Sequence, residues 1–228
     1  MKTRLPFPIL YEDRDVIVID KPPGLLTTQT RAKEANTAQA WLNDYVRKGQ
    51  RKSRKHVWLV HRLDRETSGV MMVAKTEAVQ DYFRSNWNEL TEKTYLARIE
   101  GSLPAGSGVF EGYLYEDEDL FVRSTPDKAK GKYARTEWRV VGTDPTPHVG
   151  TDPTTLVEAV LKTGRKNQIR VQFADAGHPV VGDAKYGHGK RGQTLCLHAW
   201  KLKFVHPHTR RPLAFESPPP SYLTEKGP

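Results

Sequence analysis

The chain has 228 residues, 37% of them hydrophobic and 28% charged, with a formal net charge of +9. That is enough apolar content for a sizeable core, and the excess of base favours a polyanionic partner, RNA or DNA before an acidic membrane surface. A single cysteine, Cys196, excludes an internal disulfide framework and cysteine-rich zinc clusters, and fits a reducing compartment.

The N-terminal stretch MKTRLPFPILYEDRDV is broken by prolines and charges, so it lacks the apolar run of a signal peptide. No apolar stretch is long enough to span a bilayer, and a cytoplasmic protein is expected. Two short strands follow, around Ile9–Tyr11 and Val16–Asp20, turned by EDRD and ended by Pro22, Pro23 and Gly24. Ala38, Trp41, Leu42 and Tyr45 recur at helical spacing, with Asn36 or Thr37 as N-cap and Gly49 as the stop. A basic, solvated loop, KGQRKSRK, precedes a strand HVWLVHRLD.

Residues 69–75, GVMMVAK, read as a strand buried on both faces. TEAVQDYFRSNWNEL is an amphipathic helix capped by Thr76, with Val79, Phe83 and Trp87 on one side. KTYLARIEG alternates as a strand with one wet face, EGYLYEDEDLFVRS as a hairpin with an acidic tip, and KYARTEWRVVG as a further strand. The proline-rich segment 143–153 reads as a loop, TTLVEAVLKTG as a strand, and RKNQIRVQFADAG as a short helix closed by Gly177. LCLHAWKLKFVHP is the last long strand before a proline-rich tail at 217–228. Strands joined by hairpins, with helices inserted between groups, define an α+β fold with a large, mixed, mostly antiparallel sheet in a single domain over 1–228.

No phosphate-binding glycine loop or dinucleotide fingerprint occurs, so no nucleotide cofactor is expected. His206 and His208 come nearest to a ligand pair, but HPHTRRP lacks helical spacing and reads as a strand-end turn. Ser68 stands in ETSGV rather than in a nucleophile elbow, which argues against a serine hydrolase.

In HRLDRETSG, residues 61–69, one carboxylate stands between two arginines. Neighbouring guanidinium groups favour the ionised form of Asp64, which suits a nucleophile or a stabiliser of a developing cation and not a general acid. Read alone, the stretch is a surface ion pair at a strand end sooner than a catalytic group. In chain order it is followed by EKTYLARIEG (92–101), LKTGRKNQIRV (161–171), GHPVVGDAKYG (177–187) and LHAWKLKFVHP (197–207). With ILYEDRDVIVIDKPPGLLT near the start, this set resembles the RluA-type pseudouridine synthases over about residues 9–216.

The resemblance implies an enzyme that isomerises a uridine of structured RNA, breaking N1–C1′ and joining C5 to C1′ without metal or cofactor. It implies a sheet with flanking helices and loops around a central cleft. It makes Asp64 the catalytic aspartate, acting on C1′ or on the C2′ proton. Tyr95 becomes the tyrosine that stacks on the uracil, Arg170 the base paired with the aspartate, Ile169 a pocket wall, and Arg62 the residue that fills the stack left by the flipped nucleotide. His61 and Arg165 are further RNA-binding candidates within the same motifs. This chain has Asn167 where the family often has histidine.

Flipping costs a few kcal/mol, which phosphate contacts must offset. Candidates are Arg47, Lys48, Arg51, Lys52, Arg54 and Lys55; then Lys128, Lys130, Lys132 and Arg135; then Lys185, Lys190 and Arg191. The chain opens almost at its first catalytic strands, so a stand-alone monomer acting on ribosomal or transfer RNA is expected, with no membrane partner. The alternatives are a non-catalytic RNA-binding protein of the same fold and a carboxylate-nucleophile hydrolase with Glu66 or Asp183 as acid.

Overall fold

A computed structural model describes residues 4–30, 34–50, 52–103, 106–144, 153–190 and 192–224. They form two compact units, Met1–Thr91 with Lys201–Ser217, and Glu92–Trp200 with Pro218–Pro228. Among the described residues, no helix is long and apolar enough to cross a membrane.

In the first unit, β1 (Ile9–Glu12) and β2 (Val16–Lys21) form the expected hairpin. Asp13 closes its turn by accepting the amides of Asp15 and Val16 at 2.8 Å. α1 spans Ala38–Arg47; Thr37 is its N-cap, accepting from the Ala40 amide, and Lys48 ends it in the left-handed region, φ 51°. β3 is only Trp58–Leu59, much shorter than the strand expected there. β4 (Ser68–Ala74) is buried at every residue and pairs antiparallel with both β2 and β3. The expected long helix is two pieces, α2 (Glu77–Ser85), capped by Thr76, and α3 (Trp87–Leu90). The core joins Val16, Val18, Val70, Met72, Phe83, Leu202 and Phe204. Phe83 meets Trp87 and Phe204 edge to face, and each such buried side chain contributes roughly 1.5–3 kcal/mol.

In the second unit, β5 (Thr91–Glu100, its first residue lying in the first unit), β6 (Ser107–Glu116), β7 (Val122–Thr125), β8 (Lys132–Asp144) and β9 (Thr154–Leu161) lie in the order β5-β9-β8-β6-β7, all antiparallel. β8 runs on into the segment expected to be a loop, whose remainder, 145–152, lies outside the described residues. β5 has almost no wet face: Lys93, Thr94 and Arg98 are all buried. Arg98 explains this locally. Its Nε and Nη2 donate to the Leu223 carbonyl and its Nη1 to Thr154 Oγ1, so a charged side chain is satisfied inside. α4 (Gln168–Asp175) is buried nearly all round, and Gly177 follows it at φ 82°. β10 (Leu197–Val205) pairs with β11 (Pro212–Glu216), a strand the sequence reading missed, and α5 (Ser221–Thr224) lies in the tail. The strand pairings described above within each unit are antiparallel, and an isolated parallel bridge joins Leu26 to Thr37.

Candidate active site

Residues 60–67 leave β3 without forming a strand because side chains take over their backbone bonds. The Leu63 amide donates to Thr27 Oγ1 at 3.2 Å, and the same hydroxyl donates to the Leu63 carbonyl at 2.8 Å. His61 Nε2 accepts from the Met72 amide at 3.0 Å, and its ring stacks on Trp87 at 4.8 Å. That nitrogen is committed to the protein's own backbone. The Thr67 amide closes a turn onto the Asp64 carbonyl.

Beneath this turn lies Lys21, fully buried. Its ammonium donates to the carbonyls of Leu25 at 2.7 Å, Pro22 at 3.0 Å and Arg65 at 3.1 Å. Burial brings its pKa down to about 8, against the opposing charges of Glu66 and Asp64. Asp64 is therefore held between two fixed points, Leu63 on one side and the Arg65 carbonyl on the other, and is itself half-buried. Arg65 turns away to pair with Glu34 at 2.7 Å, and Arg62 is exposed.

In the second unit, Tyr95 on β5 is buried at 9% exposure and lies opposite Ala159 on β9. Strand alternation puts Lys93 on the same face. Lys93 is 5% exposed, and burial followed by the charge of Arg165 brings its pKa down to about 8. Arg165 Nε donates to the Tyr133 carbonyl.

Ile169 and Arg170 open α4, at 3% and 9% exposure. Arg170 makes a two-pronged contact that the sequence reading missed. Nε donates to Asp183 Oδ2 and Nη2 to Oδ1, each at 2.7 Å, with the guanidinium 5.2 Å from the Tyr186 ring. Asp183 Oδ1 also accepts the amides of Lys185 and Tyr186. Burial would raise the Asp183 pKa, but the bond and charge of Arg170 outweigh it and hold the carboxyl below its ordinary value. An ionised, fully engaged Asp183 is no general acid, which removes it from that role in the hydrolase alternative. The readable signal was GDAKY: an aspartate whose side chain accepts the amides two and three positions on.

Asn167 caps α4 at φ 52°, a left-handed conformation asparagine tolerates well, and its Oδ1 accepts from the Tyr186 hydroxyl. Lys130 lies 3.9 Å from the Tyr115 ring, Lys132, Arg54 and Lys55 are exposed or half-buried at the surface, and Arg51 and Arg191 lie outside the described residues. Arg135 is engaged by Glu111 and Glu137.

Asp13, Asp15 and His206 have the spacing of metal ligands. His206 and Asp13 are already engaged within the protein. His206 Nδ1 accepts the amides of His208 and Thr209, so Nε2 carries the proton and donates to Asp13 Oδ2 at 2.7 Å. Asp13 further takes Tyr11 and two amides. The cluster staples the strand-end turn expected at HPHTRRP.

Residues 15–175 match the family model described as RNA pseudouridylate synthase. The chain belongs to the RNA pseudouridylate synthase family. It is 33% identical to the dual-specificity RNA pseudouridine synthase RluA of Yersinia pestis, over 91% of this chain and 97% of that one. It is 34% identical to the ribosomal large subunit pseudouridine synthase D of Nitrosomonas europaea, over 95% of this chain and 63% of the other. Its fold is that of human RNA pseudouridylate synthase domain containing 1, with TM-score 0.72, 23% identity, and coverage of 95% and 86%. The protein is thus an RluA-type pseudouridine synthase, an isomerase acting on RNA, and the non-catalytic alternative falls away.

Proposed function

We propose that Asp64 is the catalytic residue of this synthase, with Tyr95 and Arg170 completing the reaction centre on a uridine flipped out of folded RNA. The observation that supports this reading is the pinning of the Asp64 turn by Thr27 and Lys21, which holds the backbone on both sides of that carboxylate. Asp64 attacks C1′ or takes the C2′ proton, and N1–C1′ breaks. The uracil turns against Tyr95, and C5 bonds to C1′ as the Asp64–C1′ bond breaks or, on the other route, as the proton returns to C2′; the C5 proton then leaves to solvent. Arg170, its plane fixed by Asp183 and Tyr186, supplies the positive charge of the centre. Ile169 is its apolar wall, Arg62 enters the vacated stack, and Arg54, Lys55, Lys130 and Lys132 meet phosphates. His61 and Arg165 support these contacts through the backbone bonds they make.

The substrate is ribosomal RNA in the first instance and transfer RNA in the second, with the protein working as a cytoplasmic monomer. Release of tritium from uracil C5 tests this. Asp64→Asn is expected to abolish release while RNA affinity holds, and turnover in that variant overturns the assignment.

A further inference from the structure

The described residues of the basic segment around Arg54 keep their charged side chains exposed, but their backbone is tied down. The segment is turned by bonds from Gln50 to Arg47 and from Ser53 to Gln50, and Arg47 Nε donates to the Lys55 carbonyl at 3.1 Å. The Val57 amide is taken by Asn43 of α1 at 2.7 Å. The folded loop walls a cavity of about 280 Å³ lined by Arg14, Val46, Arg54, Lys55, His56, Trp58 and Lys75, all in the first unit.

Among the described residues, no carboxylate lines this cavity. Lys75 is partly neutralised by Glu12, and Arg14 by Asp15. Among the described residues Arg54 and Lys55 have no ion-pair partner, so their charge points to an external anion. His56 and Trp58 lie ring to ring at 4.5 Å. His56 Nδ1 donates to the Arg54 carbonyl at 3.0 Å, which fixes the ring's plane. The volume lies at the small end for a ligand pocket, suited to one nucleotide and too small for a duplex.

We propose that this cavity binds one unstacked nucleotide of the RNA substrate, away from the target uridine, its phosphate on Arg54 and Lys55 and its base against His56. The proposal rests on the reading of the protein as an RNA-acting enzyme and on no assignment of the catalytic residues. Backbone neutralisation gives affinity without sequence preference, and a base–ring contact adds to it.

The test is fluorescence anisotropy of the full chain with a short labelled oligouridylate, between about 50 and 200 mM salt. Each single-strand phosphate that the protein neutralises adds about 0.7 to the slope of log affinity against log salt, so Arg54→Gln/Lys55→Gln, which frees that one phosphate, is expected to flatten it by about 0.7. His56→Ala is expected to weaken binding about fivefold or more at fixed salt. Arg84→Gln, a charge change on the outer face of α2, leaves the slope as in the wild type. Unaltered slope in the double variant, with unaltered melting, overturns the proposal, as does equal flattening by Arg84→Gln. Competition by uridine monophosphate or inorganic phosphate as effective as the oligonucleotide assigns the cavity to a free anion and also overturns it. Tritium release by Asp64→Asn would sink the catalytic assignment and leave this result standing.

Discussion

Lys21 makes the turn around Asp64 sensitive to pH. Below pH 8 it is protonated in both folded and unfolded chain, and its burial is a constant cost. Between about 8 and the ordinary 10.5 only the unfolded chain holds the proton, so this group favours folding more as pH rises. The same rise strips a donor from an amine that serves three carbonyls. Turnover is expected to fall as pH passes 8 while the melting temperature does not fall through this residue; Lys93 titrates in the same range and direction. Rates and melts recorded side by side across that pH separate the two effects. Lys21→Met leaves three carbonyls without their donor and is expected to cost on the order of 3 kcal/mol in urea unfolding. Asp183→Asn breaks a buried pair by removing one charge, with an expected loss of about 3–5 kcal/mol and a marked fall in turnover. Cys196 is buried and burial pushes its thiol up to about 11, so iodoacetamide is expected to label it only after denaturation, read by mass spectrometry.

Elements whose cause is local could be read directly. α1 and α2 begin where threonine caps stand, and Thr37→Ala should cost about 1 kcal/mol in the same unfolding assay. The β1–β2 hairpin and the buried strand β4 follow from turn residues and an unbroken apolar run. The misread elements answer to distant groups. β3 stops early because Thr27 and the His61 ring satisfy backbone groups a longer strand would have paired. β5 lost its wet face because Leu223, over a hundred positions along, receives Arg98. For the proposed site, the motifs nominate Asp64, Tyr95 and Arg170, whereas the burial of Lys21, Lys93 and Asp183 was not readable, since only the fold produces it. Gly182 shows a constraint of the same type: at φ 78° an added Cβ would lie 2.0 Å from the Thr194 carbonyl oxygen. Gly182→Ala is expected to shift the neighbouring Asp183 and lower melting sharply.

At the scale of the whole molecule, the excess of positive charge is concentrated in the first compact unit, and a single cysteine leaves neither unit an internal disulfide to lean on. Each is built on antiparallel pairings and an aromatic-rich interior. RNA affinity of the intact chain should fall steeply with salt, which the anisotropy series records. The link from Arg98 to the Leu223 carbonyl bears on biosynthesis. A ribosome that terminated at residue 217 would release a polypeptide carrying every motif residue yet holding an enclosed guanidinium with its principal acceptor gone. Such a product is destined for proteolysis, so a nonsense codon that late in the reading frame should act as a null allele.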